Sequence, residues 1–392
     1  MRRNHRGQYM STTFFLLLEY LCTSLEVRSG NAWAWIVPVL LLIIPGGIPR
    51  AEGLEVKPVS LPLKIVSTAN PNLFPLLVAM SKHADLNLEI IPATTNTDIV
   101  EKFRSGNGDV LLSMTYTAAQ LAATGRIPNL KLIDVDFWNG FSIVAEESAQ
   151  ITGLSQLAGK GLLVAGPLSG GKGGGPDLIL GAALKRAGVS PASIHLCYLP
   201  VMQAAPMLVQ QEAMSSNSFC NDSDTMNPVA ISLAEPAATG LILQSRMASS
   251  SKGRLTKAIS LQKIFSGYSA WPNDLLPHGG ISVPDEILND PRRLEQVRAL
   301  IKAYHEGVAS IMAARGHPFA MMSIARAISS GIDQCFGNQG LSLPKSVIIS
   351  ALRSDDLVFS TSYPIDGIQR ELERFLEEVI GAPLPPSFIG RI

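Results

Sequence analysis

The sequence has little charge and no excess of either sign. Only 16% of its 392 residues are charged, and 32 basic residues balance 32 acidic ones. Residues 1–51 contain five arginines and two glutamates, so the remainder has 27 basic against 30 acidic residues, a net charge of −3. Nucleic-acid binding requires a basic patch or stripe. The composition therefore argues against nucleic acid as a partner.

Cysteine is also scarce, with 4 in the chain. Cys22 lies in a segment that we expect to be removed, which leaves Cys197, Cys220 and Cys335. An odd number of cysteines without CxxC spacing forms neither a disulfide framework nor a recognisable zinc site. One bridge is compatible with the sequence, but we expect free buried thiols and no metal site.

Common catalytic motifs are missing: the chain has no GxSxG and no HExxH, and its 6 histidines are dispersed. The segment GPLSGGKG at 166–173 approaches the phosphate-binding pattern GxxxxGK[ST], but Gly173 stands where that pattern needs a hydroxyl for magnesium. The backbone N–H groups of such a loop can still receive an anionic group, and an exposed loop without function is the alternative. We expect a protein that binds a ligand without catalysis and without a cofactor.

Apolar residues concentrate near the N-terminus. Arg2, Arg3 and Arg6 precede the run AWAWIVPVLLLIIPGG at 32–47, which is shorter than the ~20 residues of a membrane-spanning helix. This pattern predicts a signal peptide over 1–51 and a periplasmic or extracytoplasmic location. A second apolar stretch, FFLLLEYL at 14–21, leaves open a misassigned start or an uncleaved anchor, and a buried cytoplasmic helix is a further alternative.

The rest of the chain alternates short apolar runs with helical patterns, which predicts an α/β fold with largely parallel sheets. The pattern runs from LKIVS at 63–67 to a first pause near residue 147, and then repeats. We predict lobe 1 over 60–147 and lobe 2 over 148–265. Residues 266–392 are expected to form a return crossing, the remainder of lobe 1, including an amphipathic helix near 294–311, and the C-terminal helices.

Polar residues follow several predicted strands, where ligands bind in folds with parallel sheets. Asn70 and Glu235 each stand at a predicted helix start, so a capping role is the alternative for both. Trp271 lies in the expected crossing, where packing between lobes is the alternative to stacking on a ligand. The candidate ligand-binding residues are Asn70, Ser113, Thr115, Tyr116, Ser169, Gly170, Gly171, Glu235 and Trp271.

Several stretches resemble the substrate-binding proteins of nitrate, sulfonate, taurine and thiamine-pyrimidine importers. They are LKIVSTANPNLFPLLVA, FRSGNGDVLLSMTYTAAQLAATG, GLSQLAGKGLLVAGPLSGGKGGGPDLILGAALKRAGVSPASIHLCYL and VAISLAEPAATGLILQ. The resemblance spans roughly 60–380. It implies a two-lobed type II periplasmic-binding-protein fold with the ligand cleft between the lobes. It also implies a small-molecule ligand, the permease and ATPase subunits of an ABC importer as partners, and no membrane contact beyond the signal or the permease.

The sequence departs from this family at 212–228, where a longer, polar segment replaces a short turn. An extracellular sensory module is an alternative function. A thiamine-pyrimidine-synthase-like enzyme resembles the same fold, but this chain lacks that enzyme's cysteine-rich iron motif. Near the expected cleft Lys172 is the one basic residue that the sequence identifies, whereas Glu235 would favour a donor-rich ligand such as an aminopyrimidine. Sulfonate and nitrate therefore remain open as ligands.

Overall fold

A computed structural model describes residues 61–392 except 84, 167–170, 211–219, 221–226, 248–253 and 273. The expected signal peptide and most of the polar segment 212–228 lie outside the described residues. From Leu63 to Ser260 the strands and helices are β1 (Leu63–Ser67), α1 (Phe74–Lys82), β2 (Leu88–Pro92), α2 (Asn96–Arg104), β3 (Val110–Met114), α3 (Thr115–Ala123), β4 (Leu130–Asn139), β5 (Phe141–Glu146), β6 (Gly161–Gly166), α4 (Gly175–Arg186), β7 (His195–Pro200), α5 (Val201–Gln210), β8 (Pro228–Ala234), α6 (Ala237–Met247) and β9 (Leu255–Ser260). From Pro277 onward they are β10 (Pro277–Pro284), α7 (Asp285–Leu288), α8 (Pro291–Ala314), α9 (Pro318–Phe336), α10 (Lys345–Arg353), β11 (Leu357–Phe359) and α11 (Ile365–Ile380).

Local sequence signals set the helix starts. Thr95 precedes α2, and its hydroxyl accepts a hydrogen bond from the backbone N–H of Asp98 at 3.1 Å. Asp290 precedes α8 and accepts from the N–H of Arg292 at 2.8 Å, and Pro291 occupies the first helical position. Such caps satisfy N–H groups that have no acceptor within the helix. The helix predicted near 294–311 is confirmed as part of α8.

The strands form two sheets, each of which mixes parallel and antiparallel pairs. The first has six strands in the order β11-β4-β10-β3-β1-β2, and the second has five in the order β7-β6-β8-β5-β9. Strands β1, β2 and β3 are parallel, and β10 enters between β3 and β4 antiparallel to both. In the second sheet β6 runs parallel to β7 and β8, and β5 is antiparallel to β8 and β9. We call the two sheets with their helices lobe 1 and lobe 2.

The chain passes from lobe 1 to lobe 2 between β4 and β5. Asn139 and Gly140 both have positive φ there, 66° and 92°, which lets the backbone change direction at once. Strand β5 then pairs in the second sheet, whereas the predicted boundary near residue 147 placed it in lobe 1. The return crossing lies between β9 and β10, because β10 pairs with β3 and β4 of lobe 1.

The apolar core consists of three buried clusters, of which one joins the lobes. Helices α1, α8, α9 and α10 cover one face of the first sheet, and α5 and α6 cover one face of the second. The third cluster joins both sheets through α3, α4 and α11. The C-terminal helix α11 packs against α3 of lobe 1 and α4 of lobe 2. The two lobes therefore share part of their apolar core.

The cysteines differ from the expectation of free thiols. Cys197 on β7 forms a disulfide with Cys220, and Cys335 on α9 is free and partly buried. The interpretation of all three as free buried thiols is therefore wrong. Burial raises the pKa of the Cys335 thiol, which keeps it protonated and unreactive near neutral pH.

No helix among the described residues is long and apolar enough to span a membrane.

Candidate functional site

A cavity of about 550 Å³ lies between the two lobes. Its volume falls within the ~300–1,000 Å³ of typical small-molecule sites. Lobe 1 contributes strand ends and the starts of α2 and α3, and lobe 2 contributes the end of β6 and the glycine-rich turn before α4. The lining residues are Thr68, Ala69, Ala93, Thr94, Thr95, Asn96, Thr97, Ile99, Ser113, Met114, Thr117, Arg126, Gly166, Gly171, Lys172, Gly173, Gly174, Gly175, Pro176 and Tyr198.

The charged side chains that line this cavity are both cationic. They are Arg126 from lobe 1 and Lys172 from lobe 2, and the described lining contains no carboxylate. The Arg126 guanidinium donates to the Thr97 hydroxyl at 3.2 Å, and the Lys172 ammonium lies 5.5 Å from the centre of the Tyr198 ring. Two cations facing one space without a lining carboxylate favour an anion.

Helix starts add partial positive charge at the same place. Asn96 and Thr97 are the first residues of α2, Thr117 lies in the first turn of α3, and Gly175 and Pro176 begin α4. The first N–H groups of a helix have no acceptor within the helix, and the helix dipole is positive at that end. Three helix N-termini at one cavity are therefore suited to an anionic ligand group.

The glycines of the turn before α4 are required by its shape. Gly171 and Gly173 have φ of 71° and 68°, in the left-handed region that favours glycine. At Gly175 a Cβ atom would meet the Met114 side chain and approach the Thr117 hydroxyl at 3.0 Å. This absence of side chains lets lobe 2 come close to lobe 1.

A direct hydrogen bond crosses the cleft beside this turn. The side-chain amide of Asn96 donates to the carbonyl oxygen of Gly173 at 3.3 Å. The N–H of Gly173 in turn donates to the Asp177 carboxylate at 2.8 Å, and Asp177 also accepts from the Tyr198 hydroxyl at 2.8 Å. Burial and the neighbouring charge of Asp177 raise the pKa of Tyr198. The Tyr198 hydroxyl therefore stays protonated at neutral pH.

A smaller, apolar cavity of about 80 Å³ adjoins the first. The two share Ala69, Met114, Gly166 and Pro176. The remaining lining residues of the smaller cavity are Asn70, Pro71, Phe74, Ala165, Val201, Leu233, Ala234, Glu235, Pro236, Ala237, Ile332, Leu341 and Leu343. The cleft therefore has a polar, cationic part and an apolar extension.

Four of the predicted site residues line these two cavities. Ser113 and Gly171 line the larger cavity, and Asn70 and Glu235 line the smaller one. The Asn70 amide group donates to the Thr68 hydroxyl at 2.9 Å, and its oxygen accepts from the N–H of Asn72 at 2.9 Å. Asn70 therefore also has the capping role that the sequence left open. Ser169 and Gly170 lie outside the described residues.

Three predicted residues pack behind the cleft and line neither cavity. The Thr115 hydroxyl donates to the carbonyl oxygen of Pro277 at 2.7 Å. The Tyr116 hydroxyl lies 3.3 Å from Nδ1 of the buried His278. Trp271 is buried and stacks on the Tyr268 ring with centroids 5.2 Å apart. These contacts correspond to the packing alternative rather than to direct ligand contact.

Glu235 has a charged partner that sequence reasoning did not identify. Its side chain is fully buried, and one carboxylate oxygen lies 2.5 Å from the Lys257 ammonium of β9. Lys257 also contacts Asp356 of lobe 1 at 2.7 Å. The other Glu235 oxygen accepts from the N–H of Thr239 in α6 at 3.3 Å. Glu235 therefore combines a cap with an ion pair that links the two lobes.

The sequence patterns did not predict that Arg126 and the start of α2 belong to the site. Arg126 follows Gly125, the glycine that ends α3 with a φ of 64°. A residue after a helix stop is ordinarily read as part of a solvent-exposed loop. Lys172 is consequently not the sole basic residue near the cleft, which strengthens the case for an anion.

Comparison with solved structures identifies the fold. The ligand-binding component of an ABC-type import system from Staphylococcus aureus, solved with zinc bound, aligns with a TM-score of 0.56 at 12% identity, over 85% of this chain and 97% of that one. The periplasmic aliphatic sulphonate-binding protein SsuA from Escherichia coli aligns with a TM-score of 0.56 at 13% identity, over 82% and 86%. A Candida albicans protein described as having the generic periplasmic binding protein fold aligns with a TM-score of 0.52 at 12% identity, over 84% and 93%. This chain has the periplasmic-binding-protein fold.

The similarity of this chain to these solved structures lies in the fold, because the sequence identities are only 12–13%. No protein-family model and no curated protein sequence matches the chain. The expected two-lobed architecture is confirmed. In this periplasmic-binding-protein fold the larger cavity occupies the cleft between the lobes.

Proposed function

We propose that this protein captures a small organic anion in the cleft between its lobes and delivers it to an ABC-type importer without altering it chemically. The observation that carries the proposal is that Arg126 of lobe 1 and Lys172 of lobe 2 both line the larger cavity, whose described lining has no carboxylate. The two cations come from different lobes, so an anion between them would favour lobe closure. A ligand shifts the equilibrium between open and closed lobes only through contacts that differ between these two states.

The shape of the cleft supports an organic rather than an inorganic ligand. The cavity of about 550 Å³ exceeds what a small inorganic anion fills, and an apolar extension of about 80 Å³ adjoins it. Transfer of apolar surface from water into this extension would add ~25 cal/mol per Å². We therefore propose an anionic head group at the helix starts and an apolar part directed toward Phe74 and Leu233.

Glu235 opposes an anion less than an unpaired carboxylate would. Lys257 lies 2.5 Å from the Glu235 carboxylate, and this contact offsets part of its negative charge beside the smaller cavity. The donor-rich ligand that Glu235 suggested in the sequence, such as an aminopyrimidine, becomes the second candidate. An anionic sulfonate or carboxylate is the first.

Two observations support export and delivery. The Cys197–Cys220 disulfide is typical of proteins from oxidising compartments outside the cytoplasm. One structurally similar protein is the ligand-binding component of an ABC-type import system, and another is a periplasmic sulphonate-binding protein. We propose a periplasmic or extracytoplasmic location, with permease and ATPase subunits as partners. Adjacent genes for such subunits would support delivery, and their absence would favour a sensory module.

Binding is tested with purified full-length protein. Thermal shifts are measured with alkyl and aryl sulfonates, carboxylates, nitrate and aminopyrimidines, and the affinity of each hit is measured by calorimetry. A ligand at ~100 times its dissociation constant stabilises the native state by ~2.7 kcal/mol. We expect organic anions to produce shifts that nitrate and aminopyrimidines do not. Recovery of the ligand with unchanged mass supports binding, whereas a product would identify an enzyme.

Matched variants locate the anion. Arg126→Gln and Lys172→Gln remove the two cleft cations, and Arg104→Gln and Lys185→Gln remove exposed cations from the same two lobes. A hydrogen bond to a charged group contributes ~1.5–3 kcal/mol, so each cleft variant should weaken binding roughly tenfold to a hundredfold. The control variants should bind like the unaltered protein. Equal affinity in all four variants would refute the proposed head-group site.

A further inference from the structure

A second cluster of polar side chains lies in lobe 1, outside the cleft. Asp134 and Asp136 lie on strand β4, and His305 lies on helix α8. Both aspartate side chains face α8, since each contacts Nε2 of His305 on that helix. None of the three residues lines either cavity of the cleft. The cluster is therefore independent of the proposed ligand site.

The three side chains converge on one point. Nε2 of His305 lies 2.6 Å from Oδ2 of Asp134 and 3.3 Å from Oδ2 of Asp136. These three atoms all lie within 4.8 Å of one another. His305 also lines a shallow surface depression with Ile301, Lys302 and Ala309, so the cluster has access to solvent.

One buried atom of the cluster is weakly paired. The Asp136 side chain is 2% exposed, and its Oδ2 accepts no well-aligned hydrogen bond: its contact within the cluster is Nε2 of His305 at 3.3 Å. The Nε2 proton of His305 has its near acceptor in Asp134, so it leaves Asp136 with an ionic contact alone. A buried carboxylate oxygen without a well-aligned hydrogen bond is destabilising. This oxygen points at the centre of the cluster, where a cation would satisfy it.

We propose that Asp134, Asp136 and His305 bind a divalent transition-metal ion of the zinc type. Zinc takes His nitrogen and carboxylate oxygen ligands at ~2.0–2.2 Å in tetrahedral geometry, which places neighbouring donor atoms ~3.2–3.6 Å apart. The distance of 3.3 Å between His305 and Asp136 already fits. The distance of 2.6 Å between His305 and Asp134 is that of a hydrogen bond, and it widens once the shared proton leaves.

Binding exchanges a proton for the metal. The Nε2 proton of His305 is released to solvent, the imidazole nitrogen donates its lone pair to the ion, and each aspartate supplies one oxygen. Two carboxylates balance the charge of a divalent ion. An imidazole ligand favours zinc and its neighbours over magnesium or calcium. Water from the surface depression can occupy the fourth position.

The position of the site implies a structural role. Strand β4 lies between β11 and β10 in the first sheet, and α8 covers that sheet on one face. A metal held by both elements would cross-link them in the native state and not in the unfolded chain. The ion should therefore raise the melting temperature of the protein, and the increase should grow with the logarithm of the free-ion concentration above the dissociation constant.

The test uses full-length protein dialysed against EDTA and then titrated with Zn²⁺ by calorimetry. We expect binding of one ion per chain and a higher melting temperature that EDTA reverses. Co²⁺ serves as a spectroscopic probe, because a tetrahedral nitrogen–oxygen site gives a visible absorption band that Zn²⁺ then abolishes. No binding, or Co²⁺ binding without that band, overturns the proposal.

Variants identify the ligands. Asp136→Asn and His305→Gln keep the size of each side chain, and His83→Gln is the control, since His83 contacts Glu306 of the same helix at 3.0 Å. Loss of even an outer partner of a metal ligand costs ~10–100-fold in affinity, so each ligand variant should lose at least tenfold. The control should bind like the unaltered protein. Equal loss in all three, or in none, overturns the assignment, and the Co²⁺ spectrum of the unaltered protein decides if a variant fails to fold.

Discussion

Replacement of Glu235 by glutamine separates three roles that its position permits. The residue follows β8, caps α6 and lines the apolar part of the cleft. As a ligand-binding group, Glu235 would affect affinity and leave the stability of the unliganded protein almost unchanged. As an ion-pair partner of Lys257, it would affect stability even without ligand. The structure favours the second outcome.

The expected loss follows from burial. Removal of one partner of a buried ion pair costs ~3–5 kcal/mol, because the other charge stays buried without compensation. Lys257 is 23% exposed and keeps its contact with Asp356 at 2.7 Å, so the loss should lie below that range. We expect Glu235→Gln to lower the free energy of unfolding by about 2–3 kcal/mol. A cap alone would account for only ~0.5–1 kcal/mol.

Equilibrium unfolding in urea without ligand measures this loss. Glu101→Gln, on the exposed face of α2, is the matched control and should stay within ~0.5 kcal/mol of the unaltered protein. The double variant Glu235→Gln with Lys257→Met should recover part of the loss, since replacement of both members of a buried pair is often neutral. If Glu235→Gln unfolds like the unaltered protein and abolishes binding, the ion-pair argument fails and Glu235 contacts the ligand.

Three further results are expected. Replacement of Cys197 and Cys220 by serine should lower the free energy of unfolding by about 3 kcal/mol, because the disulfide closes a loop of 23 residues; a reducing agent that leaves urea unfolding unchanged would contradict this. Gly307→Ala should cost ~1–3 kcal/mol through a clash with the backbone of α1, whereas Gly181→Ala, which meets open space in α4, should stabilise by up to ~1 kcal/mol. Burial lowers the pKa of His278 from 6.5 to about 3, so the unfolded chain binds its proton first and stability should fall as pH drops from 6.5 toward 3. This loss should reach roughly 3 kcal/mol at pH 4 and be absent in His278→Phe.

Strong periodic patterns predicted most of the fold. The alternation of apolar runs with helical patterns, which begins with LKIVS in β1, predicted the α/β fold, and the amphipathic pattern predicted α8. Strand β9 (LTKAIS) and strand β11 (LVF) were missed, because the first carries a charged residue and only two buried positions, and the second has three residues. Such strands form because neighbouring strands offer backbone partners, which local sequence does not reveal.

The boundary between the lobes shows a similar limit. Strand β5 continues almost directly from β4, with Gly140 alone between them. The sequence has no long linker at this point. The chain passes from the first sheet to the second in a turn of two residues with positive φ, Asn139 and Gly140, which the sequence pattern did not reveal. The visible pause at residue 147 reflects the end of a strand rather than the crossing.

The candidate site was only partly predictable for the same reason. The tendency of ligands to bind at strand ends predicted Ser113, Asn70 and Glu235, and all three line the cleft. Arg126 follows a helix rather than a strand, and it reaches the cavity because α3 returns its C-terminal end beside the start of α2. A prediction based on strand ends therefore does not identify a cation, such as Arg126, that helix packing places in the lining of the cavity.

Glu235 shows what the local pattern leaves undecided. A carboxylate between a strand and a helix has the same sequence signature when it binds a ligand, caps the helix or forms an ion pair. In this protein the contact with Lys257 shows that Glu235 forms an ion pair. Lys257 lies on β9, a strand that the sequence did not predict. Burial lowers the pKa of Lys257, but the charge of Glu235 and the contact with Asp356 outweigh it, so the pKa is raised overall and the lysine stays charged. Because Lys257 bridges Glu235 of lobe 2 and Asp356 of lobe 1, the Glu235 carboxylate is held in a contact between the lobes, whereas the charged side chains in the described lining of the larger cavity are the cations Arg126 and Lys172.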